Sequence, residues 1–407
     1  QAFRAHVLDM FEPQDHPNVI PYPGAPPTPP YDNAGWTLAF QMGVEFDRIL
    51  DPFDGPFERV TDWNVPPPMG TITGVPGPLA LDRRQNDAFR AVNRLLAAGV
   101  PVHVTPEAFV VASSGSVLDR LKKLVSPLGV NATAAEGVNV RTLPRLRTPG
   151  IGLWDQYGGS MPSGWTRWIL ESFEFPFSRV FAPELDAGNL IQKYDALIFV
   201  NGAIPPPPAP GGGRGGRGGG RGPAVDPSQV PEEYRAQIGR ITPDVTIPKL
   251  REFVEAGGTL VAIGSSADAI VRHLKLPLEN HLVEDGNPLP RAKYFVPGSV
   301  LTAAVDTNHP AAAGMPARTD FFFDNSPVFR LAADAGDAVR PIATFDSETP
   351  LKSGWAWGQH YLKGGIAAAE VRLGRGRILL FGPEILHRAQ PHGTFKFLFN
   401  ALLKTEK

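Results

Sequence analysis

The chain has 407 residues, of which 42% are hydrophobic and 20% charged, and its formal net charge is −2. That length calls for two or three domains, and the near-neutral charge lends no support to a nucleic-acid partner or an acidic membrane surface. There is no cysteine, which excludes disulfides, thiolate metal sites and a cysteine nucleophile, and no apolar run reaches the roughly 18–20 residues of a membrane helix.

The chain opens on "QAFRAHVLDMFEPQ", with neither an initiator methionine nor a charged and then apolar leader. It reads as a start within a longer protein. Residues 11–78 are dense in proline, which disfavours regular helix and central strand. They also carry Tyr22, Tyr31, Trp36, Phe40, Phe53 and Trp63, too many aromatics for a free linker. The expectation is an extended segment, 1–78, that wraps a neighbouring domain and anchors through these rings.

From residue 79 the periodicity changes. "LAL", "VPVHVT" and "FVVA" read as strands. "RRQNDAFRAVNRLLAAG" sets Phe89, Val92, Leu95 and Leu96 on one helical face, and "SGSVLDRLKKLVSPLG" reads as a serine-capped helix. This is a small α/β unit over 79–147.

The remainder, 148–407, alternates apolar strands with helices. The strands are "GIGLW", "FSRVFA", "DALIFV", "TLVAIG" and "GRILLFG"; the helices are "MPSGWTRWILESFEF", "IPKLREFVEAGG", "SADAIVRHLKL" and "HGTFKFLFNALL". Trp165, Trp168, Ile169 and Phe173 are expected along one side of the first helix. Such alternation implies a parallel sheet covered on both faces, an α/β fold. Two insertions interrupt it. A Pro/Gly/Arg-rich loop spans about 203–243, and its three-arginine core reads as solvated surface. A β-rich stretch spans about 285–375.

Three stretches together resemble a known family: "IGLWDQYGGSMPSGWTRWILESFEFPF", "LREFVEAGGTLVAIGSSADAIVRHLKLPLEN" and "GRILLFGPEILHRAQPHGTFKFLFNALL". With "RAHVLDMFEPQ" and "PPYDNAGWTLAFQMGV", they look like the region that follows the catalytic domain in large secreted bacterial zinc carboxypeptidase-like proteins. The resemblance implies a flavodoxin-like, class I glutamine amidotransferase-like domain here, with the zinc-binding peptidase domain upstream of Gln1. It also implies an extracellular or periplasmic location.

Several residues merit weighing as chemistry. His281 and Glu284 in "ENHLVEDG" have the H-x-x-E spacing of two zinc ligands, and His392 is a distant third histidine. The segment reads instead as a proline-bounded loop without fixed orientation, so no metal is expected there. In an amidotransferase fold the nucleophile follows "TLVAI"; the resemblance puts that cysteine position on Gly264. Ser265 or Ser266 would need a base and an orienting carboxylate, which Glu384, His387 and His392 supply in type. Helix capping is the simpler account of "GSSAD". Asp155, Ser160, Ser163, Trp165, Thr166 and Arg167 could build a polar ligand site or an interface at a strand-to-helix turn. Alternatively, Trp165 and Trp168 are core and Arg167 pairs with an acidic neighbour.

The expected function is that of a non-catalytic accessory region without a cofactor of its own. It would pack on the peptidase domain, bind peptide or form homo-oligomers. A serine hydrolase and an extracellular assembly protein are the alternatives.

Overall fold

The computed structural model describes residues 3–62, 65–66, 68–208 and 226–406. Trp63 and most of the Gly/Arg-rich run lie outside them.

The N-terminal segment carries two helices, α1 (Arg4–Phe11) and α2 (Leu38–Met42), the second in a proline-free stretch. Its attachment is largely polar. Gln14 Oε1 accepts hydrogen bonds from Trp36 N (2.8 Å), Thr37 N (3.0 Å) and Ser353 Oγ (2.9 Å). Trp355 Nε1 donates to Asn18 Oδ1 at 2.8 Å. Tyr22, Tyr31, Trp36 and Phe53 are exposed; only Phe40 is half-buried. The anchors expected at Tyr22, Tyr31, Trp36 and Phe53 are therefore corrected, whereas Phe40 does meet the large sheet, with Lys352 Nζ 4.4 Å from its ring centroid. Backbone groups in a proline-rich strap lack a ladder, so side-chain amides and hydroxyls satisfy them.

The next unit contains β1 (Leu79–Asp82), α3 (Asn86–Ala97), β2 (Val102–Val104), β3 (Ala108–Val111) and β4 (Ala132–Ala134), in an antiparallel sheet of order β2-β3-β1-β4. The helix buries Phe89, Val92 and Leu95 at three-residue spacing, as its pattern requires. Ser114 stands at the N-cap of the following helix but makes no side-chain capping bond.

The large sheet follows: β5 (Ile151–Trp154), α4 (Met161–Ser172), β6 (Ser178–Val180), β7 (Ala196–Phe199), α5 (Thr246–Glu255), β8 (Thr259–Ile263) and α6 (Ser265–Leu274). Antiparallel strands β9 (Ser299–Val305), β10 (Arg318–Phe323), β11 (Val339–Thr344) and β12 (Ile366–Leu373) come next, then β13 (Gly376–Phe381) and α7 (Phe395–Leu402). The parallel strands lie in the order β6-β5-β7-β8-β13, with Leu153 opposite Ile198, Ile198 opposite Val261, and Val261 opposite Leu379. Numbered along the chain, that order is 2-1-3-4-5, the flavodoxin-like arrangement. The β-rich insertion extends the same sheet: β12 pairs antiparallel with β13, and β11, β9 and β10 continue outward. Parallel strands β5, β7 and β8 are buried at every residue because helices cover both faces.

Every residue of α7 is buried. Phe399 meets Phe89 at 5.3 Å, Phe173 at 4.7 Å and Phe175 at 5.1 Å between ring centroids, so the small sheet's helix and the large sheet share an aromatic core. On α4 the buried face is Ser163, Thr166, Ile169 and Leu170. Trp168 is 53% exposed, which corrects its expected place in the core. Its indole turns into a cleft described below.

Candidate functional site

In a flavodoxin-like sheet, sites form beyond the carboxyl ends of the parallel strands. Here those ends present Asp155 after β5, Asn201 after β7, Gly264 after β8, and Glu384 and His387 after β13.

Gly264 sits at the sharp turn between β8 and α6 with φ 61 and ψ −135, a conformation that a residue with a side chain adopts only under strain. A Cβ there would lie 2.6 Å from Asn201 Oδ1 and 2.7 Å from its Cγ. The space into which a side chain at this elbow would project is filled by the Asn201 amide. Asn201 Oδ1 accepts from Ser265 N (2.9 Å) and Ser265 Oγ (2.7 Å).

The two serines are tied down differently from the capping role expected. The N-cap is Gly264, so both serines lie inside the helix. Ser265 Oγ accepts from Gly202 N at 3.0 Å. Ser266, fully buried, donates to Val200 O at 2.6 Å and accepts from Ile204 N at 3.0 Å. These hydroxyls join α6 to the turn after β7. Among the described residues, no hydrogen bond links either serine to an imidazole.

Glu384 hydrogen-bonds to Asn201, which favours its ionised form. Burial outweighs that bond and, with the nearby Asp324 carboxyl, pushes Glu384 up to about 7. Asp324 is itself raised by burial. His387 lies flat on Phe322, with centroids 3.9 Å apart, and meets the edge of Trp165 at 5.1 Å. Burial, with Arg388 adding, pushes His387 down to about 4, and among the described residues its buried Nε2 has no hydrogen-bond partner. The turn that follows places Arg388 and Ala389 at φ 50 and 55, a strained pair of non-glycine residues.

The other sequence candidates disperse. His392 stacks on Phe395 at 4.7 Å beside Asp87, in a cleft of its own. Asp155 Oδ2 faces Arg179 at 3.7 Å, and Ser160 caps α4 by accepting from Ser163 N at 3.5 Å. Ser163 Oγ donates to Trp154 O, and Thr166 Oγ1 donates to Pro162 O. Arg167 pairs with Glu171 at 2.7 Å, the acidic neighbour expected of it.

The segment around His281 is more regular than the loop read from sequence. Leu278–Asn280 pairs with Phe329–Leu331, and Val283–Glu284 forms a hairpin with Asn287–Pro288. His281 Nε2 lies 3.2 Å from Lys363 O, and Glu284 pairs with Lys293. Among the described residues, no group of three or more His, Asp or Glu side chains is arranged to hold a metal ion.

Sequence reasoning missed Asn201, Asp324 and Lys396. The last had a legible signal: one lysine inside the apolar run "TFKFLF".

No family model matches the chain, and no curated protein does. Solved structures match distantly. A cytoplasmic protein of Salmonella typhimurium is 11% identical, with 63% of this chain and 100% of that chain covered and a TM-score of 0.34. A candidate GMP synthase component from Thermoplasma acidophilum is 10% identical over 63% and 94%, with a TM-score of 0.36. A glutamine amidotransferase of Thermotoga maritima is 10% identical over 58% and 76%, with a TM-score of 0.32. Amidotransferase-like proteins are thus among the structures this chain is similar to. Likeness of that degree says nothing of what the chain does; its fold is read from the strand order.

Proposed function

We propose that this chain is a non-catalytic docking region of a larger secreted zinc carboxypeptidase-like protein, and that its partner is the peptidase domain. The observation that carries the reading is the stretch 47–69. Each of its described residues is exposed, and none of them is in a helix or strand. Yet it holds Ile49, Leu50, Phe53, Phe57, Val60, Val65 and Met69, from 59% to 78% exposed. A large apolar side chain gains about 1.5–3 kcal/mol on full burial, so seven of them along one strap favour covering by a second folded surface. The strap is held at both ends. Before it, Gln14 and Asn18 bind to Ser353 and Trp355; after it, Gly70 N donates to Ser126 O and Thr73 N to Ala132 O. The filled elbow at Gly264 supports the non-catalytic half of the reading.

The test begins with the open reading frame upstream of Gln1. The peptidase domain encoded there is expressed separately, and its binding to the 407-residue chain is measured by calorimetry. Micromolar or tighter association, lost in the double variant Phe53→Asp/Phe57→Asp, is the expected result. The absence of such a domain, or binding indifferent to both substitutions, overturns the proposal.

A further inference from the structure

A cleft of about 680 Å³ lies between the N-terminal segment, α3, α4, the β9–β10 region and the start of α7, with His392 in its wall. Its volume is in the range of small-molecule sites. Lys396 lines it and is only 7% exposed. Among the described residues its one hydrogen bond is to the neutral Asn86 Oδ1 at 3.2 Å, and no carboxylate stands at ion-pair distance from it. The other cations of the wall differ. Arg84, Arg90, Arg318 and Lys352 each have a carboxylate oxygen at 2.6–2.8 Å.

A buried ammonium is costly unless paired, and this one keeps unused N–H donors within a cleft of ligand size. Burial pushes Lys396 down to about 8, against the pull of Asp82, so it is mostly charged at neutral pH. The lining also holds the carboxylates Glu45, Asp87 and Asp320, and a set of aromatic rings. These rings are Phe40, with Lys352 Nζ 4.4 Å from its centroid, Phe173 and the 53%-exposed Trp168.

We infer that this cleft binds a small organic carboxylate with an apolar or aromatic body, the carboxylate pairing with Lys396 and the body lying against Trp168 and Phe40. The inference is independent of the docking proposal, since residues 47–69 do not line the cleft.

The probe is N-acetyl-phenylalanine, titrated into the full chain at pH 7 and followed by tryptophan fluorescence and calorimetry. Saturable binding is expected. It should weaken at least tenfold for N-acetyl-phenylalaninamide, which keeps the body and lacks the charge, and at least tenfold in Lys396→Met. Because Lys396→Met alters a buried position, a second measurement uses the unaltered protein. Reductive methylation of lysines, read by peptide mass spectrometry, should be slowed at Lys396 by the ligand and unchanged at Lys275. No saturable binding, equal binding of the amide, or unprotected Lys396 overturns the inference. So does inorganic phosphate binding as tightly as the carboxylate.

Discussion

The amide of Asn201 stands where a side chain on Gly264 would have to be, with Oδ1 2.6 Å from the position of the missing Cβ. The two residues follow the carboxyl ends of adjacent parallel strands, β7 and β8, and their mutual fit decides what the elbow can do. An elbow that exposes a reactive side chain needs an open space ahead of it. Here that space holds a hydrogen-bonded amide.

Gly264→Ala therefore costs stability twice, through the backbone at φ 61 and through contact with Asn201. Urea denaturation should show a loss of about 2–3 kcal/mol. In an Asn201→Gly background the contact disappears, and the same substitution should cost measurably less, the remainder being the backbone strain alone. An equal cost in both backgrounds would mean the amide does not occupy that space in solution.

Glu384 predicts an unusual pH dependence. Its carboxyl is raised to about 7 in the fold. The native state therefore holds a proton that the unfolded chain has released, and stability falls as pH rises from the ordinary glutamate range through about 7. His387, lowered to about 4, acts oppositely: its contribution grows as pH rises from about 4 to the ordinary histidine value near 6.5. The two partly cancel below pH 6.5, and Lys396, lowered to about 8, opposes the decline as pH nears 8, so the fall between about 6.5 and 7.5 is the part that belongs to Glu384. Thermal melts across that window should show it. Glu384→Gln should flatten the decline and raise stability at pH 8 by on the order of 2 kcal/mol. An unchanged slope in Glu384→Gln would remove Glu384 as its source.

The adjacent serines should separate. Ser266→Ala strands the buried Ile204 N–H, while Val200 O keeps its bond from Ala203 N, and should cost about 1–3 kcal/mol. Ser265 is exposed, so Ser265→Ala should cost about 0.5 kcal/mol. Neither should change hydrolysis of p-nitrophenyl acetate from the unaltered chain's rate. Loss of an existing activity in Ser265→Ala alone would restore the serine-hydrolase alternative.

Phe399 joins the two sheets through Phe89, Phe173 and Phe175. Phe399→Ala should cost about 3–5 kcal/mol. Calorimetry of the unaltered chain should give one unfolding transition over these regions, and the variant should split or broaden it. Two separate transitions before any substitution would show that the aromatic core does not couple them.

Much of this protein was legible residue by residue. "TLVAI", "ALIF" and "RILLF" are apolar at nearly every position, as strands buried on both faces must be. The spacing of Phe89, Val92 and Leu95 marks a helix because the signal lies within one element. The Arg167–Glu171 pair was legible for the same reason, since i,i+4 neighbours meet on any helix. What the sequence left open depended on approach between distant segments. Glu384, His387 and His392 share one closing segment, yet the strained turn at Arg388 and Ala389 sends the imidazoles to different surroundings. Trp168 was expected inside because it is aromatic, but α4 turns a face of serine, threonine and aliphatic residues to the sheet. Lys396 is buried and Asn201 fills the elbow only because close packing settles which side chain takes each space, and packing is decided between elements rather than along them.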